Sequence, residues 1–288
     1  MLPGMTRKPG IAIVGAGRLG SALAVQLRRA GYRISAVVGR PGSLKRARVL
    51  AKQVKSKATS EFAGVDAVLV WICVPDSEIE RAAKLHASNF DWKGKIALHS
   101  SGALTSDELS PLRKKDASVA SVHPLMTFVS GSRSSLRGVS FAIEGDAAAV
   151  RAARRIVNDL GGEAHTVRKQ DKAAYHAWGT FASPLLTALL ATTERAAGLA
   201  GVKGEAARRR MMPILLQTLV NYASFGAADG FSGPIVRGDV ETVKKHLQVL
   251  RREPLTQKAY AALGLAALQY LPARNKAALK KLLDSALD

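Results

Sequence analysis

A glycine-rich turn near the N-terminus constrains the fold of this chain more than any other stretch of its 288 residues. The turn follows an apolar run at residues 11–14 and opens a helical pattern that continues to Arg29. It reads Gly15, Ala16, Gly17, Arg18, Leu19 and Gly20. Glycines spaced in this way permit a tight turn, let the backbone approach a pyrophosphate, and allow the helix to pack closely on the strand. The pattern predicts a dinucleotide-binding unit, and the alternative is a glycine-bearing turn without a ligand.

The end of the second predicted strand, residues 33–38, indicates which dinucleotide the turn holds. Gly39 and Arg40 follow this strand, at the place where a protein that prefers NAD usually carries an acidic residue for the ribose 2′-hydroxyl. Arg40 instead offers a bidentate donor for a 2′-phosphate, with Ser43 and Lys45 as further candidates for the same group. Most of the basic residues that follow are interpreted as a solvated helix face. The predicted cofactor is therefore NADP.

Composition limits the class of protein. A chain of this length can form two domains and bury a core without disulfides or metal ions. Its single cysteine, Cys73, excludes an internal disulfide and stands in an apolar run, which is typical of a buried structural thiol. The first ten residues contain no apolar stretch long enough for a signal peptide or a membrane span. We therefore expect a soluble, cytoplasmic protein that does not contact a membrane.

The charge balance is strongly basic, with 43 Lys and Arg residues against 22 Asp and Glu residues and a formal net charge of +21. Such a charge favours association with any polyanion at low salt. The basic residues are nevertheless scattered along the chain and lack the interleaved aromatic residues of a single-strand binder. An anionic cofactor and a small anionic substrate are the favoured partners, and a role in nucleic-acid binding is disfavoured.

Strand and helix patterns alternate up to residue 167. Residues 65–74 form an apolar, β-branched run that is typical of a parallel strand covered on both faces. In a doubly wound sheet this strand lies beside the first one, so Val74 and Pro75 should line the cofactor crevice. Four shorter runs predict further strands, at residues 95–98, 118–122, 139–144 and 163–167. The serine-rich segment 130–137 predicts a loop or a lid.

Only helical patterns follow. We predict an α/β fold, a Rossmann-like doubly wound sheet over residues 1–167, followed by an all-helical domain over residues 168–288. The first long helix of the second domain, residues 171–199, is mostly apolar and is expected to be buried. Pro184 should bend this helix near its middle, because proline removes one backbone hydrogen bond.

Several motifs together resemble one known family. Besides the glycine turn they are His99-Ser100-Ser101-Gly102-Ala103, His123-Pro124-Leu125, Asp171-Lys172-Ala173-Ala174-Tyr175-His176, and Gly233-Pro234 with Arg237-Gly238-Asp239. Over nearly its whole length the chain resembles bacterial Rossmann-like proteins with an uncharacterised helical C-terminal domain, commonly described as candidate NADP oxidoreductases. The resemblance implies a fold similar to pyrroline carboxylate reductases and hydroxyacid dehydrogenases, and a homodimer formed through the helical domain. One departure is Pro184, since the family pattern has Asn after the serine of the long helix.

Three residues are candidates for proton transfer, the step that the protein must add to the hydride chemistry of the cofactor. Lys172 is similar in position to the proton-transferring lysine of hydroxyacid dehydrogenases. His176 lies one turn further on the same helix face. His123 precedes a proline after a strand, which resembles the His-Pro pair of prephenate dehydrogenases. The alternative for each of the three is a structural role.

Other polar residues are candidates for holding the cofactor or the substrate. Ser100 is assigned to the cofactor and Ser101 to a substrate carboxylate, since both follow the end of a predicted strand. Asn221 and Arg237 are further substrate candidates, although Asn221 equally suits helix packing and Arg237 equally suits a structural ion pair with the neighbouring aspartate. The histidines and the cysteine show no spacing that indicates a metal site.

These features predict an NADP-dependent oxidoreductase that transfers hydride to or from a small anionic carbonyl, imine or hydroxyacid in the cleft between the domains. One alternative is a non-catalytic NADP-binding regulator or scaffold that has the fold but not the proton donor. Another is a nucleic-acid-associated protein with a vestigial cofactor site, which requires duplex binding at physiological salt. The substrate and the direction of the reaction remain open at this point.

Overall fold

The computed structural model describes residues 8–40, 42, 44–130 and 135–288. The chain forms two compact units, Met1–Phe181 and Ala182–Asp288. The sequence places the boundary between residues 167 and 168, ahead of the first long helix rather than within it. Two predicted features, Ser43 and residues 131–134 of the serine-rich loop, lie outside the described residues.

An eight-stranded sheet forms the centre of the first unit. Its strands are β1 (Ile11–Val14), β2 (Ile34–Val38), β3 (Lys57–Thr59), β4 (Leu69–Ile72), β5 (Ile96–His99), β6 (Ser118–Pro124), β7 (Ser140–Gly145) and β8 (Glu163–Thr166). They lie in the order β3-β2-β1-β4-β5-β6-β7-β8, and only β6 and β7 pair in antiparallel fashion. The strand order reverses between β1 and β4, which is the switch point where doubly wound sheets bind ligands. The predicted fold class is confirmed.

Five helices flank this sheet, namely α1 (Arg18–Arg29), α2 (Leu44–Gln53), α3 (Ile79–His86), α4 (Ser110–Arg113) and α5 (Ala147–Asp159). The sheet is covered on both faces, as β1 illustrates. Ile11 and Ile13 belong to one apolar cluster, and Ala12 and Val14 belong to the other. Since alternate side chains of a strand point to opposite faces, burial of both faces explains why the central strands are continuous apolar runs.

Three elements differ from the sequence prediction. The strand β3 carries no signal in the sequence, because three residues that include a lysine and a threonine show no apolar pattern. The strand β4 is shorter than the predicted run 65–74, because Val65 instead bonds its amide to the carbonyl of Phe62 in a turn. The predicted helix after β5 begins as a 3₁₀ turn, Ser106–Leu109, and only its end, α4, is α-helical.

The remaining elements are helical. They are α6 (Lys172–Thr180), a π-helical turn (Phe181–Leu185), α7 (Leu186–Leu199), α8 (Gly204–Asp229), α9 (Pro234–Arg237), α10 (Val240–Leu250), α11 (Pro254–Tyr270) and α12 (Lys276–Asp284). The π-helical turn contains Pro184, so the regular helix is interrupted where the sequence predicts it. In the second unit a small core is formed by Val243, Leu247, Ala261, Leu268, Leu279 and Leu283.

Two long helices of the second unit expose apolar side chains. No residue of α7 is buried, and Ala207 is the only buried residue of α8. On α8 six large apolar side chains are more than half exposed, namely Ile214, Leu216, Leu219, Val220, Tyr222 and Phe225. The expectation that the first long helix is buried is therefore wrong in the single chain, since Lys172 is the only buried residue of α6, the π-helical turn and α7. Among the described helices, none is long and apolar enough to cross a membrane.

Candidate functional site

The glycine turn leaves its backbone open on one side. Gly15 has a φ of 99°, and a Cβ there would lie 2.5 Å from the carbonyl oxygen of Cys73. A Cβ at Gly20 would overlap the carbonyl oxygen of Gly15, so α1 packs against β1 only with glycine at this position. A Cβ at Gly17, in contrast, would meet no atom within 4 Å. Gly17 therefore leaves room for a ligand directly before α1, which begins at Arg18.

A cavity of about 300 Å³ opens at this turn. Its wall contains seven of the residues that the sequence assigns to the cofactor, namely Gly15, Ala16, Gly17, Gly39, Arg40, Val74 and Pro75. They come together because β1, β2 and β4 are neighbours in the sheet and end at the same edge. The other four residues assigned to the cofactor, Arg18, Leu19, Gly20 and Ser100, are not part of this wall.

The cavity wall also contains residues that sequence reasoning missed. Arg46 adds a second cation beside Arg40, and together with Lys45 it lines a further cavity of about 470 Å³. Neither arginine forms an ion pair within the described part of the chain. The other polar residues of the wall are Ser60, Glu78, Arg81 and His86, and among these Glu78 pairs with Arg81. Arg46 lies within a run of basic residues and Ser60 follows the unpredicted β3, so nothing in the sequence distinguishes either residue from its neighbours.

Lys172 lies at the end of the sheet and is fully buried. Its Nζ donates hydrogen bonds to the backbone oxygen of Ser101 at 3.1 Å and to Oγ of Ser121 at 2.8 Å. Burial lowers the pKa of the Lys172 ammonium, and the carboxylates of Glu144 and Asp76 counteract that shift. The helix α6 begins at this residue and so delivers its cation to the carboxyl ends of β5 and β6. The ammonium group is thus held inside the protein rather than at the surface.

The two serines after β5 use their hydroxyl groups in internal hydrogen bonds. Trp71 donates from Nε1 to Oγ of Ser100 at 2.8 Å. Ser101 donates from Oγ to Oδ2 of Asp76 at 2.6 Å and accepts from the amide of Leu104 at 2.9 Å. Asp76 is itself exposed, so the hydrogen bond from Ser101 connects the loop after β5 with a carboxylate that faces solvent. The serines therefore shape this loop through contacts within the protein.

His99 also has both ring nitrogens engaged. Its Nδ1 accepts from the amide of Ser101 at 3.1 Å, so Nε2 carries the hydrogen and donates it to the carbonyl oxygen of Thr105 at 2.9 Å. Burial, together with the charge of Lys172, lowers the pKa of His99 to about 4. His99 is therefore neutral at physiological pH and has a structural role.

His123 and His176 lie against each other at this end of the sheet. Their rings are perpendicular, with centroids 5.8 Å apart. Both rings lie directly against Gly102. A Cβ at this position would lie 2.9 Å from Nε2 of His123 and 2.5 Å from Cδ2 of His176. Glycine at position 102 is thus what allows the two imidazoles to approach the loop. The structure therefore brings together all three residues predicted to transfer protons, with Lys172 beneath the loop and the two histidines beside it.

Tyr175, which the sequence reasoning did not select, contacts His123. Its hydroxyl group lies 3.4 Å from Nδ1 of His123. Burial raises the pKa of Tyr175 to about 12, so the phenol keeps its proton, and whether it donates to Nδ1 or accepts from it depends on the tautomer of His123. Nε2 is the ring nitrogen of His123 that faces Gly102. Burial, followed by the charge of Lys172, lowers the pKa of His123 to about 4.

The last two substrate candidates lie in the second unit. Asn221 accepts at Oδ1 from Nε2 of Gln217 at 2.8 Å along α8. Arg237 pairs with Asp239, with Nη2 at 2.8 Å from Oδ2, which matches the structural alternative. Among the described residues, no group of three or more His, Cys, Asp and Glu side chains is arranged to hold a metal ion.

The buried imidazoles make the stability of the protein depend on pH. The pKa values of His86, His99 and His123 all lie below the ordinary value of histidine, mainly because of burial. Below a pH of about 6.5 the unfolded chain therefore binds more protons than the folded chain. We expect the free energy of unfolding to fall as the pH drops from about 6.5 towards 4, by about 1 kcal/mol per pH unit for each of His99 and His123, and the lowered pKa of His86 adds to this fall. Urea denaturation at several pH values in this range measures the effect.

Two variants test whether the buried histidines cause this pH dependence. His99→Gln should flatten the pH dependence, whereas His165→Gln, which changes an exposed imidazole, should leave it unchanged. A free energy of unfolding that stays constant across this window would contradict the neutral state of the buried rings.

Two family models match the chain. The Rossmann-like domain matches residues 5–124, and the domain of unknown function DUF2520 matches residues 139–267. No curated protein is significantly similar to the chain in sequence.

Solved structures share its fold at low sequence identity. The candidate NADP oxidoreductase BF3122 from Bacteroides fragilis is 20% identical, with 90% of this chain and 98% of that chain covered and a TM-score of 0.75. An imine reductase from Myxococcus stipitatus, in complex with NADP⁺, is 17% identical over 97% and 100% of the two chains, with a TM-score of 0.63. The 1-pyrroline-5-carboxylate reductase from Streptococcus pyogenes is 16% identical over 98% and 99%, with a TM-score of 0.62.

The fold, the glycine turn at the switch point and the two family models agree on one architecture. In this chain a Rossmann-like domain over residues 5–124 is therefore followed by a DUF2520 domain over residues 139–267.

Proposed function

We propose that the protein is an NADP-dependent oxidoreductase. The observation that carries this proposal is that the open backbone at Gly17 and the cation of Arg40 line the same cavity. A dinucleotide phosphorylated on its ribose presents two anionic groups, a pyrophosphate for the turn and a 2′-phosphate for the arginine. Two neighbours in fold support the choice, since one is described as a candidate NADP oxidoreductase and the other is bound to NADP⁺.

The substrate that we propose is a small anionic carbonyl, imine or hydroxyacid. NADPH, when bound, supplies the hydride, so the protein has to bind and orient the substrate and move one proton. The net charge of +21 favours an anionic substrate. The names of two neighbours, an imine reductase and a 1-pyrroline-5-carboxylate reductase, point to C=N bonds as a reducible group.

We assign the proton transfer to His176. Lys172 is fully buried and bonded to Ser101 and Ser121, so it is not free to reach a substrate. His123 is neutral at physiological pH and directs Nε2 towards Gly102, which suits it to bind the substrate rather than to protonate it. His176 lies beside the His123 ring, on the same helix as Lys172. In this assignment Lys172 holds a positive charge in place, His123 forms a hydrogen bond to the substrate, and His176 delivers the proton.

Binding and turnover are tested in sequence on one sample. Calorimetry should detect NADPH binding that is at least about 10-fold tighter than NADH binding, since the 2′-phosphate adds charge-assisted hydrogen bonds. NADPH oxidation is then followed with 1-pyrroline-5-carboxylate, uncharged cyclic imines and 2-oxo acids with and without ammonia. Absence of binding to either dinucleotide would refute the proposal. NADPH binding without turnover on any of these compounds would favour a non-catalytic regulator.

The role of His176 is tested in the same assay. His176→Phe should lower kcat about 100-fold, the typical contribution of an acid–base group, and leave the Kd of NADPH unchanged. His165→Phe is the matched control, because it changes an exposed imidazole of β8. Equal activity of the two variants would remove His176 from the reaction.

We propose further that two copies of the chain form a homodimer through the second unit. The support is the exposed apolar surface of α7 and α8, since helices that are apolar and exposed in one chain are generally covered by another. A second copy offers the same surface and is the simplest self-complementary partner.

Sedimentation velocity tests the dimer. The wild-type protein should sediment as a dimer, and Leu219→Arg, which places a charge among apolar side chains of α8, should weaken association by at least about 100-fold. Val249→Arg is the matched control, because Val249 is similarly exposed on α10. A monomeric wild-type protein would refute this proposal.

A further inference from the structure

Tyr175 contacts the candidate reaction site through one polar atom, its hydroxyl oxygen. This oxygen lies 3.4 Å from Nδ1 of His123, and the two rings meet edge-on with centroids 5.6 Å apart and planes at 89°. Trp178, on the same helix, packs edge-on against the tyrosine ring with centroids 5.9 Å apart. The tyrosine ring is thus packed against two aromatic neighbours, and its hydroxyl group is held beside one edge of the imidazole.

The contact with Tyr175 selects one orientation of the imidazole. Half a turn of the His123 ring about its Cβ–Cγ bond would put a carbon, Cδ2, beside the hydroxyl group and remove the hydrogen bond. With Nδ1 at the tyrosine, Nε2 lies next to Gly102 and has no hydrogen-bonding partner among the described residues. Their buried side-chain atoms without a partner are Oγ of Ser56 and Nδ1 of His86, so Nε2 of His123 is accessible from solvent. This nitrogen is therefore free to bond to a ligand.

Two tautomers of the neutral His123 ring are compatible with the contact. Tyr175 keeps its proton, because burial raises the pKa of its phenol to about 12. Nδ1 of His123 is the one acceptor that this proton meets among the described residues. An Nδ1 atom that carried a hydrogen of its own would leave the phenol hydrogen without an acceptor in that part of the chain. The favoured arrangement has the phenol donating to Nδ1 and the imidazole hydrogen on Nε2.

We propose that Tyr175 is a positioning residue that keeps the hydrogen of His123 on Nε2 and so makes this nitrogen a hydrogen-bond donor to the substrate. The inference rests on the proposed function and narrows the substrate. The group beside His123 must be an acceptor, such as a carbonyl or carboxylate oxygen or the nitrogen of a neutral imine. The other tautomer would present a lone pair at Nε2 and would suit a group that donates a hydrogen, such as a protonated imine. Tyr175 thus selects, through His123, which kind of group the site binds.

The position of the hydrogen is measured by NMR on protein with ¹⁵N-labelled histidines at neutral pH. In the wild-type protein His123 should show a bare Nδ1 and a protonated Nε2, in signals that are assigned by their loss in His123→Gln. Tyr175→Phe removes only the hydroxyl group and keeps an aromatic ring at this place. Because 3.4 Å is at the long end of the hydrogen-bond range, we expect the tautomer ratio to shift towards Nδ1–H by about fivefold.

The effect on the substrate is measured in the NADPH oxidation assay. With a compound that the wild-type protein reduces, Tyr175→Phe should raise KM about fivefold, because the donor that binds the substrate is less populated. The same variant should change kcat and the Kd of NADPH by less than about twofold, since neither proton transfer nor the cofactor depends on this hydrogen. A hydroxyl group that only stabilises the fold would lower the melting temperature and leave KM unchanged.

Tyr260→Phe is the matched control. The hydroxyl group of Tyr260 lies 3.0 Å from Nδ1 of His246, at an exposed position in the second unit. The variant therefore makes the same change at a tyrosine–histidine pair outside the candidate site. It should alter the signals of His246 and leave the signals of His123, KM and kcat unchanged.

The outcomes separate this inference from the proposed function. A hydrogen on Nδ1 of His123 in the wild-type protein, or a KM that Tyr175→Phe leaves unchanged, would overturn the inference and leave the proposed function intact. A wild-type protein that binds no dinucleotide or reduces none of the compounds would overturn the proposed function and with it the role of Tyr175 towards a substrate. The spectra would still decide which nitrogen of His123 carries the hydrogen.

Discussion

Replacing Arg40 by aspartate should raise the Kd of NADPH about 100-fold or more while changing the Kd of NADH less than about threefold. Arg40 lies in the wall of the 300 Å³ cavity at the glycine turn, to which we assign the dinucleotide, and is not ion-paired within the described residues. Two parallel charge-assisted hydrogen bonds to a 2′-phosphate contribute about 3 kcal/mol, and a carboxylate at the same place repels that phosphate. NADH lacks the phosphate, and a carboxylate can accept a hydrogen bond from its ribose hydroxyl. Calorimetric titration with both dinucleotides measures the ratio.

Arg48→Asp is the matched control for this experiment. It introduces the same change of charge on an exposed position of α2, outside both cavities. It should weaken the binding of NADPH only slightly, through long-range electrostatics that added salt screens. Equal weakening of NADPH and NADH by Arg40→Asp would refute the assignment of the 2′-phosphate. Arg46→Ala then measures what the other arginine of the wall without an ion pair among the described residues contributes.

Replacing Lys172 by methionine should raise the pKa values of His123 and His99 by about one unit. Lys172 is a fully buried cation whose charge lowers both pKa values, so its removal relieves part of the shift. The same change removes a cation that interacts with the buried carboxylate of Glu144 and leaves the oxygen atoms of Ser101 and Ser121 without their bonds to Nζ. The free energy of unfolding should therefore fall by about 3 kcal/mol. NMR titration of the histidine rings and urea denaturation measure the two effects.

Lys169→Met provides the control for a lost lysine in the same segment. Lys169 is exposed and pairs with Asp107, so its replacement should leave both histidine pKa values unchanged and alter stability by less than about 1 kcal/mol. In the wild-type protein the signals of His123 should not titrate between pH values of about 7.5 and 5.5, and in Lys172→Met they should begin to do so. Identical titration curves in the two proteins would show that burial alone keeps His123 neutral.

The fold was predictable because its signals are local. Continuous apolar runs such as residues 11–14 report burial on both faces of a sheet, and glycine spacing reports a turn that other residues cannot form. The interruption of the long helix was likewise predictable from a single residue, Pro184. The strand β3 had no such signal, because it is short, partly polar and defined by its pairing with β2.

The cofactor half of the site was more predictable than the reaction half. Residues that follow parallel strands meet at one edge of a sheet whatever their side chains are, and this placed Arg40 and Val74 in one wall. Which polar groups then bond to each other depends on contacts far apart in sequence. Ser101 and Lys172 meet across 71 positions, and their contact holds the lysine inside the protein.

By itself, the sequence determined the strand–turn–helix unit, the doubly wound sheet and the helical C-terminal part. The apolar periodicity of a segment and the backbone preferences of glycine and proline depend on only a few neighbouring residues. Only the tertiary structure decided the state of the individual side chains. It made Lys172 a buried cation, engaged both nitrogens of His99, and left the buried Nδ1 of His86 without a partner among the described residues. The physical reason is that burial, hydrogen bonding and charge at one atom depend on whichever residues the fold brings within a few ångströms of it.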